Sequence, residues 1–113
     1  MTKAKDIVRL RQITRLLLDV KLADLRAAAA KRQHSLDLLV SLNKAAPATD
    51  LSPVAAHQAE LRYHLWADLR RAEINLVLAR QTADLHIARD AAGQAFGKDQ
   101  ALRGVQAKLR QKA

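Results

Sequence analysis

The sequence predicts an all-α protein, a long antiparallel two-helix coiled-coil hairpin with the second helix overhanging the first. Three observations carry this expectation. Ala and Leu supply 42 of the 56 apolar residues in a chain of 113, a composition that favours helix. Val, Ile and Thr together number 14, beside three glycines and two prolines, too few strand formers and turn residues for a sandwich or barrel. Both prolines, Pro47 and Pro53, fall in one short stretch and leave long unbroken tracts on either side. The only aromatics are Tyr63, Trp66 and Phe96, so a compact core would be poorly filled, whereas Leu and Ala can seal a long two-helix contact. The length allows one domain.

The first helix is expected over about 5–43, where no glycine or proline occurs. Leu18, Leu22, Leu25, Ala29, Arg32, Leu36 and Leu39 step by four and three, the a/d spacing of a coiled coil with one polar intruder. Leu10, Ile13 and Leu17 form a seam one residue out of phase with it, which implies a stutter near Leu17 and Leu18. Residues 44–52 read as the turn. Ser52 followed by Pro53 is an N-cap with proline at the first helical position, where its missing N–H costs nothing. Leu51 could pack on Ala56 as a hydrophobic staple.

The second helix is expected over about 53–111. Ile74, Leu78, Gln81, Leu85, Ala88, Ala92, Ala95, Asp99, Leu102, Gln106 and Leu109 keep the same rhythm, eight of the eleven being apolar. Leu61, Leu65, Leu69, Ala72, Leu76 and Ala79 precede them about one residue out of phase. Folding the chain at the prolines pairs residue i with about 97 − i and sets Leu18 opposite Ala79, so both phase shifts fall at one level. Rising 1.5 Å per residue, the helices would be about 58 and 88 Å long. Residues 93–113 would then overhang, and Gly93, Gly97 and Gly104 would let that tail fray or bend without a partner.

The net charge of +9 is unevenly placed. Residues 1–32 carry +6 and residues 93–113 carry +4, whereas 33–60 carry −2 and 61–92 carry +1. A hairpin gathers the two basic ends at one pole. Arg9, Arg11, Arg15 and Lys21 lie toward the N-terminal end of their helix, where the dipole favours anions, so the placement costs stability. Two readings stand side by side: a partner that needs these cations, or Lys and Arg stems that solubilise the rod and lie over its seam.

Other chemistry is sparse. There is no cysteine, hence no disulfide framework, thiolate nucleophile or sulfur-ligated zinc. Ser35, Ser41 and Ser52 sit in no nucleophile-elbow pattern and no glycine-rich phosphate loop is present, so no enzyme and no cofactor is expected. His57, Glu60 and His64 share a helical face, but nothing supplies a close fourth ligand and the expected reading is a solvated face with no metal. His34 and His86 read as ordinary surface or seam positions. Tyr63 and Trp66 stand one turn apart, which suits the cap of a seam better than a partner hot spot. Arg62, Arg70, Arg71 and Arg80 are diluted by Asp68, Glu73 and Asp84, as on a solvated helix face. Residues 1–10 do not read as a secretory signal, the Leu16–Leu18 run is too short for its apolar region, and charge-free stretches such as 74–79 fall far below the roughly 20 residues of a membrane span. A cytoplasmic chain is the expectation.

The layout resembles the short coiled-coil stalk proteins of type III export, the flagellar FliJ family and its virulence-system counterparts of the YscO kind. The residues that carry the resemblance are Leu10-x-x-Ile13-x-x-x-Leu17, Leu36-x-x-Leu39-x-x-Leu42, the Tyr63/Trp66 pair, and the closing Lys98-x-x-x-Leu102 with Leu109-Arg110. The resemblance implies a non-enzymatic antiparallel coiled coil whose terminal end enters the hexameric export ATPase. It also implies peripheral contact with the export gate membrane protein, escort of export chaperones, and a cytoplasmic location at the inner-membrane export apparatus. The role of the terminal pole would fall on Arg9, Arg11, Arg15, Lys98, Arg103, Lys108 and Arg110. The alternatives are a generic adaptor or chaperone hairpin, and a nucleic-acid binder, for which the net charge speaks but no recognition motif does.

Overall fold

The computed structural model describes residues 2–44 and 52–112, and those residues form two helices, α1 (Thr2–Lys44) and α2 (Pro53–Lys112). The fold is an all-α helical hairpin, and the described residues contain no strand. Residues 45–51, with Pro47 and the expected Leu51 staple, lie outside the described residues. The start of α2 is capped as the sequence implies. The Ser52 hydroxyl accepts a hydrogen bond from the Ala55 N–H at 3.4 Å, and the Ser52 carbonyl takes the Ala56 N–H at 2.8 Å. At the other end Arg110 and Lys112 occupy the last turn, where cations complement the helix dipole.

Two packing units divide the chain, residues 1–29 with 84–113 and residues 30–83. In the first, the inward positions of α1 are Ile7, Arg11, Thr14, Leu18, Lys21, Leu25 and Ala28. Facing them are Gln106, Leu102, Asp99, Ala95, Ala92, Ala88 and Leu85 of α2, so that residue i lies level with 113 − i. The hydrogen bond from Thr14 to Asp99 fixes that register directly. In the second unit Arg32, Ser35, Leu39 and Leu42 face Gln81, Leu78, Ile74 and Arg71 at the same spacing, held by Arg32 Nε donating to Thr82 Oγ1 at 3.1 Å and Ser35 Oγ donating to Gln81 Oε1.

Four expectations are corrected here. Leu10, Ile13 and Leu17 do not form a seam: they are 47, 60 and 37 % exposed, and α1 keeps one unbroken 4-3 rhythm without a stutter because polar Arg11 and Thr14 take the inward positions. Further along, Lys21, Ala28 and Ser35 occupy the seam line in place of Leu22, Ala29 and Leu36. Ala29 is exposed, and Leu22 and Leu36 are half-buried beside that line. In early α2 the inward positions are Tyr63, Ala67, Arg71 and Ile74, while Leu61, Leu65, Leu69 and Leu76 are 51 to 70 % exposed. Finally, the overhang expected over 93–113 is not seen in its described part, residues 93–112. Ala95 and Asp99 are buried and Leu102, Gln106 and Leu109 half-buried against the first turns of α1.

The glycines do not break the helix either. α2 runs through Gly93, Gly97 and Gly104 to Lys112 with no glycine at positive φ. The unmatched length lies in the second unit instead. By its register Lys44 is level with Leu69, so Pro53–Asp68 begins beyond the last residue of α1. Tyr63 ties that segment back by donating its hydroxyl to the Leu42 carbonyl at 3.1 Å, and Arg71 Nε donates to Asn43 Oδ1 at 3.2 Å.

Candidate functional site: the basic terminal end

The seam of the first unit is small and polar where α1 begins. Asp99 is 1 % exposed, a burial a carboxylate tolerates only with partners. Thr14 Oγ1 lies 3.2 Å from Asp99 Oδ1 and 3.1 Å from the Arg11 carbonyl, and its single proton can serve one of the two at a time. Arg103, one turn on, places Nε 3.3 Å from Asp99 Oδ2 as an i,i+4 ion pair, without the alignment of a hydrogen bond. Arg11 Nη1 donates to Gln106 Oε1, while its buried Nε has no partner. The result is a charged layer, Arg11–Thr14–Asp99–Arg103–Gln106, inside a helix pair whose other inward positions are Leu and Ala with Ile7 and Lys21.

This layer sorts the seven cations expected at the pole. All seven belong to the first unit. Arg9, Arg15, Lys98, Lys108 and Arg110 are exposed, and the register sets Arg15 level with Lys98 and Lys108 level with Lys5. Arg11 and Arg103 are half-buried and turned toward the seam, Arg11 Nη1 donating across it to Gln106 and Arg103 pairing with Asp99 of its own helix. The unit carries +7 in formal charge, against +2 for residues 30–83.

Between the cations run apolar floors. One groove is lined by Val8, Leu16, Gln12 and Gln106 with Arg11 and Arg15 at its edge. A second, near the chain ends, is lined by Ala4, Ile7, Val8, Leu109 and Arg110. Such a surface can take an acidic, partly apolar segment: apolar contact supplies area, and the exposed Arg and Lys supply orientation and encounter rate. Thr14 went unseen in the sequence because Leu10 and Ile13 draw the seam to the wrong face. Asp99 and Gln106 were visible as the polar members of an apolar rhythm.

Elsewhere, Glu60 Oε1 lies 3.5 Å from His64 Nε2, both more than half exposed. Among the described residues no group of three or more His, Asp or Glu is arranged to hold a metal ion, and no helix is long and apolar enough to cross a membrane. Tyr63 packs on Trp66 with ring centroids 5.9 Å apart, over a groove shared with Leu38, Leu42 and Ile74. Comparison with protein-family models, with curated proteins and with solved structures finds no match.

Proposed function

We propose that this chain is a non-catalytic coiled-coil stalk of a type III protein export apparatus, working at the cytoplasmic side of the membrane. Its basic terminal end engages the export ATPase ring, promotes assembly or activity of that ring, and assists export in contact with the gate and with chaperones. One observation carries the reading. Cations from both ends of the chain, Arg9 and Arg15 of α1 with Lys98, Lys108 and Arg110 of α2, stand exposed on one two-helix unit beside apolar grooves. The likeness of the leucine spacing to the FliJ and YscO stalks names the partner. Because the tail packs along α1 instead of overhanging, the engaging element is the paired end of two helices and not a single free helix.

The test follows from the sorting of the cations. Arg9→Glu, Arg15→Glu, Lys108→Glu and Arg110→Glu together invert the exposed charge and leave Arg11 and Arg103 in place. Purified export ATPase should hydrolyse ATP faster with the native chain and at its basal rate with this variant, both chains being equally helical by circular dichroism. Equal stimulation by the two chains removes the basic end from the mechanism. The +7 of this unit also fits a second reading, nucleic-acid binding. Tight binding of labelled duplex with a steep loss on raising salt, together with no effect on the ATPase, would establish that reading in place of the first.

A further inference from the structure

Opposite the face that α2 turns to α1 runs a second apolar stripe. Val54, Leu61, Leu65, Leu69, Ala72 and Leu76 are all exposed, the five larger ones between 51 and 71 %. At about 100° per residue they fall within one narrow sector of the helix, on the far side from buried Ala67 and Ile74. A row of leucines this long on one solvated face exceeds the scattered apolar residues of an ordinary surface.

We infer that this stripe pairs with its own copy, joining two chains through antiparallel α2 helices across a two-fold axis between Asp68 and Leu69. The spacing is palindromic. Setting residue j against 137 − j of the second copy places Val54 on Ala83, an exposed alanine further along the same face, Leu61 on Leu76, Leu65 on Ala72, and Leu69 beside Asp68 at the axis. An isologous interface demands this self-complementarity, which a stripe spaced by fours and threes supplies.

Charge is compatible with this setting. In the antiparallel setting Arg62 of one copy comes within two residues of level with Glu73 of the other, on the same flank of the stripe, and the symmetry makes that pair twice. Glu73 is 67 % exposed in its i,i+3 contact with Arg70. On the other flank Asp68 comes within one residue of level with the second copy's Asp68, each already paired with its own Arg71 at 2.7 Å.

Sedimentation velocity of the full chain over a concentration series tests this. The native chain should pass from monomer to dimer. Leu65→Glu should weaken association at least tenfold, as should Arg62→Glu. Adding Glu73→Arg to the latter should restore it, and Val20→Glu on α1 should leave it unchanged. Circular dichroism of each variant should match the native chain, since the altered side chains are exposed. Orientation is read by disulfides: Leu61→Cys mixed with Leu76→Cys should give the cross-linked mixed dimer, and Leu61→Cys alone should form no disulfide between chains. A chain that is monomeric throughout, a dimer indifferent to Leu65→Glu, or efficient self-crosslinking of Leu61→Cys would each overturn the inference.

Discussion

Thr14 and Asp99, 85 residues apart in the chain, lie 3.2 Å apart across the helix pair. That contact puts a carboxylate 1 % exposed in the middle of a Leu/Ala seam and fixes which turn of α1 meets which turn of α2. A buried charge costs desolvation that its partners must offset, so such a layer contributes to register more surely than to stability. A register shifted by one turn toward Leu18 would bury Asp99 against that side chain with nothing to bond.

Removing the carboxylate tests its partners. Asp99→Ala takes the acceptor from Thr14 and the ion-pair partner from Arg103, which is 41 % exposed and can turn its guanidinium to water. The expected loss is about 1–3 kcal/mol in a urea titration. Asp99→Leu, which restores an apolar seam residue, should lose less than Asp99→Ala.

The two candidate faces of the helices are separated by truncation. Leu85 is 8 % exposed and Ile13 60 %. Leu85→Ala should cost about 2–5 kcal/mol and Ile13→Ala no more than about 0.5 kcal/mol. Comparable losses would mean that Leu10, Ile13 and Leu17 are packed after all.

These faces show how far the sequence could be read. Fold class, the Ser52–Pro53 cap and the α2 seam from Ile74 to Leu109 were legible, the last because eight of its eleven members are apolar. The α1 seam was legible only in part, at Leu18, Leu25, Arg32 and Leu39; elsewhere Arg11, Thr14, Lys21 and Ser35 occupy it while Leu10, Ile13 and Leu17 stand outside. Hydrophobic periodicity then follows the stripe that faces solvent. The register inherited that error: pairing to 97 instead of 113 slides α2 by about 24 Å and turns a packed tail into an overhang. The clustering of the basic ends survived, since either register brings the two termini together. Which of the seven cations are exposed could not be read without the seam, because Arg11 and Arg103 differ from Arg15 only in the direction they face.

Glycine supplies an independent check on the tail. A Cβ built at Gly93, Gly97 or Gly104 meets no atom within 4 Å, and none has positive φ. Each Gly→Ala change should therefore stabilise by about 0.5–1 kcal/mol. The triple variant should melt several degrees higher by circular dichroism. An unchanged or lower melting temperature would show that α2 is not a continuous helix through these positions.

Near the start of α2, Tyr63→Phe deletes only the hydroxyl that donates to the Leu42 carbonyl. The expected cost is about 0.5–1.5 kcal/mol. The change should also shift the emission of Trp66, the sole tryptophan, which packs on Tyr63.

The pairing of the two ends of the chain underlies both the basic surface and its proposed engagement with a ring. Because the chain has no native cysteine, engineered pairs read that pairing without interference. Leu18→Cys with Ala95→Cys, level at a sum of 113, should oxidise rapidly to a single intramolecular disulfide at high dilution, while Leu18→Cys with Ala79→Cys should remain reduced. Closure of the second pair and not the first would contradict the register and restore an overhanging tail.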